Sequence, residues 1–196
     1  MQKYNFNNHL VRIGSRTSPL AVCQANEVKQ KIIQKSEIIK FRTSGDKIVD
    51  SNLSDHGGKG LFTKELDEAL KNSKIDIAVH SLKDVPTFIQ DIFKLSYILP
   101  REDVNDVLIS NGNVKNIQDL RKNAVLGTSS PRRIAQIKRV RPDLNVIPLR
   151  GNIGTRIAKI KNNNLDAIII ALAGIKRLKI KKSLEILKSD EFMPAA

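Results

Sequence analysis

The chain has 196 residues, 40% of them hydrophobic, which is enough for a real core and excludes a disordered tail. Its 34 Lys and Arg outnumber 20 Asp and Glu, for a formal charge of +14. A single cysteine excludes an internal disulfide and any Cys-rich metal site, and no apolar run approaches the ~18 residues of a membrane span.

In chain order, the first nine residues carry no apolar signal core, so a cytoplasmic, membrane-free protein is expected. Residues 10–14 form a predicted strand. Ser18-Pro19 is an N-cap followed by a first helical proline, and Leu20, Val22, Val28 and Ile32 continue at helical spacing. Cys23 falls inside that helix as a small, buried or half-buried side chain. Residues 38–41 are the next strand. Gly57-Gly58-Lys59-Gly60 leads into a helix with Leu61, Phe62, Leu66, Ala69 and Leu70 on its apolar side. Residues 75–79 read as a strand ending at His80-Ser81, and residues 93–99 as another, closed by Pro100. The polar stretch Arg101-Glu102-Asp103 is a plausible hinge. Beyond it, residues 107–109, 124–126 and 146–147 are strands, and residues 166–171 are an apolar run suited to a central parallel strand. The alternation predicts an α/β fold with mostly parallel sheets and flanking helices. Two domains are expected, at 1–100 and 101–192.

The most informative stretch is Gly127-Thr128-Ser129-Ser130-Pro131-Arg132-Arg133. It places two arginines in the first turn of a helix, against the positive end of its dipole, at a cost of roughly 0.3–1 kcal/mol each. Such a placement implies a carboxylate or phosphate at the helix start. The alternative is chance in a very basic chain. Gly14-Ser15-Arg16-Thr17-Ser18-Pro19 echoes the same design in the first half and suggests two similar domains, each aiming a helix N-terminus at a common cleft. Ligands of α/β sheets bind beyond the carboxyl ends of the strands. The residues there are Arg16, Thr17, Ser18, Lys59, His80, Ser81, Lys83 and Asp84 in the first half. In the second they are Thr128, Ser129, Ser130, Arg132, Arg133, Arg150, Gly151, Asn152, Arg156, Lys176 and Arg177. Nearly all are cationic or hydroxyl, with Asp84 as the one acid. Such a cleft suits a ligand rich in carboxylates or phosphates, and a lone carboxylate within it suits a developing positive charge or a proton shuttle. Asp84 reads equally as a loop residue before Val85-Pro86, or as the ion-pair partner of a nearby lysine. His80 is expected to be a hydrogen-bonded strand-end residue. Neither His9 nor His56 has neighbours that suggest a metal, and no metal site is expected.

Basic residues far outnumber acids from Asn105 to Lys188. Nucleic acid is nevertheless not the expected partner: no helix-turn-helix or RNA-module signature is present, and aromatics, at 4%, are too few for base stacking.

Five blocks carry a resemblance: Arg16-Thr17-Ser18-Pro19-Leu20-Ala21; Gly57-Gly58-Lys59-Gly60-Leu61-Phe62; residues 76–86 from Asp76 through His80-Ser81-Leu82-Lys83-Asp84 to Pro86; Gly127 to Arg133; and Leu149-Arg150-Gly151-Asn152-Ile153-Gly154-Thr155-Arg156. Together, in this order and spacing, they resemble the hydroxymethylbilane synthase family, also called porphobilinogen deaminase. The resemblance implies an enzyme that joins four porphobilinogen units head to tail into a linear tetrapyrrole, releasing ammonia at each step. It implies two domains like type II periplasmic binding proteins, a monomer, and a covalent dipyrromethane cofactor. By the family pattern Asp84 is the catalytic carboxylate, contacting pyrrole N–H groups and the cationic azafulvene. Arg16, Ser18, Lys59, Ser81, Lys83, Thr128, Ser129, Ser130, Arg132, Arg133, Arg150, Gly151, Asn152, Arg156 and Arg177 match positions that bind pyrrole side chains or cofactor. Phe62 matches an aromatic near the growing chain. The family's third domain, with its cofactor-bearing cysteine, has no counterpart here, and Cys23 does not match that cysteine. A fragment is therefore expected, with residues 193–196 beginning a return to the first domain and activity alone in doubt. A non-catalytic binding protein for small polycarboxylates is the alternative.

Overall fold

The computed structural model describes residues 10–47, 60–112, 114–162 and 165–195. The chain divides into two compact units, Met1–Leu99 and Pro100–Ala196.

In the first unit, β1 (Val11–Arg16) lies between β2 (Ser36–Phe41) and β3 (Ile77–Ala78), and both pairings are parallel. Side chains alternate between the two faces, as a strand's period of two requires. Val11, Ile13, Ile38 and Ile77 pack on one face with Ala25 of α1 (Pro19–Lys29). Ile39, Phe41 and Ala78 pack on the other with Leu66 and Ala69 of α3 (Lys64–Lys71). A short α2 (Ser44–Lys47) follows β2. Gly14 lets Ile75 close in: a Cβ there would lie 2.3 Å from Ile75 Cδ1.

The second unit holds a five-stranded sheet in the order β6-β5-β7-β4-β8. Its strands are β4 (Asp106–Ser110), β5 (Val125–Gly127), β6 (Asn145–Ile147), β7 (Ala167–Ala171) and β8 (Glu185–Leu187). Leu108, Leu126 and Ile169 share one core with Ile137 of α4 (Pro131–Val140). Val107, Ile109, Ile168 and Ile170 share the other with Ile160 of α5 (Ile153–Asn162) and Leu172 and Ile175 of α6 (Leu172–Arg177). Each such buried aliphatic side chain contributes about 1.5–3 kcal/mol. This α/β architecture puts every helix start after β1, β5 and β6 at the carboxyl end of a parallel strand.

Three expectations need correction. Residues 93–99 form no strand. Their alternating pattern pairs with neither edge of the first sheet, β2 or the two-residue β3, and strand propensity is realised only where a neighbour pairs. Leu95, Tyr97 and Ile98 are consequently exposed. Residues 107–109 do form a strand, but β4 is antiparallel to both β7 and β8; β7 itself is central, with a parallel neighbour only on the β5 side. Finally, Leu61 and Phe62 lie in a turn before α3 rather than in the helix.

Candidate functional site

In the first unit, β1 delivers Arg16 to its carboxyl end. Asp46 takes one edge of the guanidinium, accepting from Arg16 Nη2 and, at 3.4 Å, from Nε. Asp46 also accepts from the Thr43 amide at 3.2 Å and its hydroxyl at 2.8 Å. Burial pushes the Asp46 carboxyl up, but the hydrogen bonds from Arg16 and Thr43 outweigh it and hold the group below the ordinary carboxylate range. The remaining terminus, Arg16 Nη1, lies 3.7 Å from Asp84 Oδ2, an ion pair beyond hydrogen-bond reach. Phe62 covers the guanidinium face at 4.1 Å from its ring centroid. The ring reaches this place because position 45 is glycine: a Cβ there would sit 2.2 Å from Phe62 Cε1. Glu65 of α3 fastens the same loop, accepting from the Ser44 amide at 2.7 Å and hydroxyl at 2.6 Å.

Asp84 ends a single 3-10 turn, Leu82–Asp84, that starts beyond β3. The Ser81 hydroxyl donates to Gln24 Oε1 at 3.0 Å, tying this turn to α1. Ser18 caps α1, its hydroxyl accepting from the Ala21 amide at 3.3 Å. Lys83 is exposed beside Asp84. Burial holds the His80 imidazole below its ordinary range; the charges of Asp67 and Asp84 oppose that and Arg16 adds to it. Lys59, His56 and His9 lie outside the described residues.

In the second unit, the turns after β5 and β6 are buttoned together by Ser129. Its hydroxyl donates to the Leu149 carbonyl at 3.1 Å and accepts from the Leu149 amide at 2.9 Å. This brings Arg150, Gly151 and Asn152 beside residues 128–133. Thr128 is buried and its hydroxyl accepts from the Ser130 amide at 3.3 Å; Ser130 in turn caps α4, accepting from the Arg133 amide at 3.5 Å. Asn152 accepts from both the amide and the hydroxyl of Thr155 at 2.9 Å, opening α5. Gly151 takes φ +107°, a backbone region that side chains strain to enter. Arg156 Nε donates to the Gly151 carbonyl at 2.7 Å. Burial lowers the Arg156 pKa, and the like charges of Arg133 and Arg150 lower it further. Three guanidinium groups therefore share this corner. Arg177 ends α6, on the connection after β7.

The anion expected at the start of α4 is supplied from inside the fold. Arg132 and Arg133 both bind Asp106, the 2%-exposed first residue of β4. Asp84 is thus not the one acid among the strand-end cations: Asp46 pairs with Arg16 in the first unit and Asp106 with Arg132 and Arg133 in the second, and neither was anticipated. The signal for Asp106 was present: an acid bordering the apolar run Val107-Leu108-Ile109 must be paired when buried, and the ill-placed arginine pair was its natural partner. Asp46 left a weaker trace, in the turn-forming Thr43-Ser44-Gly45-Asp46. Among the described residues, no cluster of His, Cys, Asp or Glu could hold a metal. Cys23 is half-buried on α1.

Residues 11–196 match the family model "Porphobilinogen deaminase, dipyromethane cofactor binding domain". The porphobilinogen deaminase of Nitrobacter winogradskyi is 49% identical, over 100% of this chain and 64% of its own length. That of Alkaliphilus metalliredigens is 47% identical, over 94% of this chain and 60% of its own. This chain therefore spans less than two thirds of the length of these relatives. Among solved structures, it is similar to substrate binding domain 2 of Lactococcus lactis GlnP in an open conformation, with a TM-score of 0.48 and 12% identity, over 87% of this chain and 71% of that one. The family match covers nearly the whole chain: the chain belongs to the porphobilinogen deaminase family.

Proposed function

We propose that this chain supplies the catalytic and anion-holding parts of a transferase that condenses four porphobilinogen molecules head to tail into hydroxymethylbilane, with loss of ammonia. The observation that carries it is the difference in charge between the two clusters. The paired group Arg16, Asp46 and Asp84 bears one formal negative charge, with Lys83 exposed beside it; Arg132, Arg133, Asp106, Arg150 and Arg156 together bear three positive ones. The first suits a cation that forms as an amine departs, the second the acetate and propionate groups that every pyrrole carries.

Asp84 is the proposed catalytic residue. Its neighbour Arg16 is already neutralised by Asp46, so the charge of Asp84 remains to face positive charge on the substrate. The 3.7 Å separation from Arg16 leaves the Asp84 oxygens to accept from pyrrole N–H groups. Phe62 shields Arg16 on one face and strengthens these interactions by excluding water.

The residues fit the family's dipyrromethane cofactor through its carboxylates. The depressed Arg156, crowded by Arg133 and Arg150, is relieved by an anion. Arg150 and Arg156 are the proposed carboxylate holders, with Ser129, Gly151 and Asn152 shaping the loops that carry them. When bound, the group supplies the pyrrole carbon at which chain growth begins. Lys59, Ser81 and Lys83 in the first unit, and Thr128 and Arg177 in the second, are proposed to bind pyrrole side chains.

Titration of porphobilinogen into the chain, followed by calorimetry, tests this directly. Arg150→Ala and Arg156→Ala should each weaken binding about tenfold or more, as loss of a charged hydrogen-bond partner does. Asp84→Ala should leave binding within a few-fold. Binding indifferent to both arginines would contradict the assignment.

A further inference from the structure

Asp106 opens a strand whose next three residues, Val107, Leu108 and Ile109, are all buried, and its own carboxylate is almost inaccessible. It has two charged partners and gives one oxygen to each. Arg132 Nη2 donates to Oδ2 at 2.6 Å, and Arg133 Nη2 donates to Oδ1 at 2.7 Å. These arginines are adjacent on α4, and consecutive helical side chains point about 100° apart. A common anchor is needed to bring their guanidinium groups side by side against their mutual repulsion. Each has a second tie: Arg133 Nη1 to the Ile169 carbonyl of β7 at 3.2 Å, and Arg132 Nη1 to the Met193 carbonyl. The Met193 backbone is itself held by Gln136, whose Nε2 donates to its carbonyl at 3.0 Å and whose Oε1 accepts from its amide at 2.6 Å.

We infer that Asp106 is a positioning residue of the anion site: its buried carboxylate sets Arg132 and Arg133 side by side at the start of α4 and cancels one of their two charges. The inference rests on the proposed function above. A ligand carboxylate then meets a fixed pair carrying one net positive charge, beside Arg150 and Arg156. The fixed Arg133 in turn sets where Arg156 feels its field.

The sign of one measurement separates positioning from simple attraction. Removing Asp106 raises the formal positive charge of the site. If charge alone governed affinity, a carboxylate ligand would bind more tightly; if placement governs it, binding weakens. In the 196-residue chain, Asp106→Asn should bind porphobilinogen about tenfold more weakly by calorimetry, in the range seen when residues supporting a binding group are lost. The dependence of that affinity on salt should be unchanged or steeper. Equal or tighter binding by Asp106→Asn overturns the inference. Should that variant not fold, Asp106→Glu keeps the charge but displaces it by one methylene. Binding several-fold weaker, at a temperature well below its melting midpoint, supports positioning, and full affinity overturns it. Failure of the unsubstituted chain to bind porphobilinogen contradicts the proposed function and this inference together. Undiminished binding in the variant contradicts the inference alone.

Discussion

Gly151 shows how much of the candidate site depends on single positions. At φ +107°, with a would-be Cβ 2.9 Å from Thr155 Cγ2, alanine has neither the conformation nor the space. Gly151→Ala should cost about 1–3 kcal/mol in urea unfolding of the second unit. A neutral result would mean that the loop carrying Arg150 and Asn152 relaxes freely. His80 gives a pH signature in the first unit. Burial lowers its folded pKa below the ordinary 6.5, so the unfolded chain binds the proton more readily. The stabilisation is fully present above about pH 6.5 and is lost as pH falls through the folded value. Thermal melting of the first unit should therefore decline on acidification below pH 6.5, and His80→Gln should flatten that decline. An unchanged profile in the variant would show that other groups govern it. The carboxylates were the residues least visible in the sequence. Asp84 stood out as the one acid among the strand-end residues, whereas Asp46 and Asp106 act through arginines distant in sequence, 30 residues away for Asp46 and 26 and 27 for Asp106.

The helices that open the two clusters share one device. Ser18 and Ser130 each precede a proline and each cap the amide three residues on. Ser130→Ala should cost about 1 kcal/mol of stability, read from denaturant midpoints, with a comparable loss in Ser18→Ala. A loss in neither would mean that water replaces both caps at no cost. These starts were legible because a cap is local chemistry, read from four or five adjacent residues. The strands β1, β2, β5, β6 and β7 were legible for the same reason, as short apolar runs ended by polar turns. What escaped was non-local. The antiparallel run of β4 depends on which strand lies beside it, and residues 93–99 have a strand's pattern without a strand's neighbour. The echo between residues 14–19 and 127–131 survives as a shared local motif: parallel strand, hydroxyl-rich turn, Ser-Pro helix start.

Across the whole chain, the +14 charge is less informative than its placement. Asp46 neutralises Arg16, and Asp106 cancels one charge of the Arg132–Arg133 pair, which bulk composition cannot show. Apolar placement is equally uneven. Ile168 is fully buried in the five-stranded sheet, whereas Phe88 is 79% and Ile98 57% exposed. Phe88→Ser and Ile98→Ser should each change stability by no more than about 0.5 kcal/mol, while Ile168→Ser should unfold the second unit at moderate denaturant. Large losses from either exposed substitution would show that these side chains are covered. The most direct test of the account is turnover. A chimaera would continue this chain with the remaining third of a curated relative, and ammonia and bilane release from porphobilinogen would be followed in it and in its Asp84→Ala form. Turnover is expected in the first and a loss of roughly 100-fold or more in the second, the scale seen when a group acting on developing charge is removed, with porphobilinogen still bound. Undiminished turnover in the Asp84→Ala chimaera would contradict the catalytic role of Asp84.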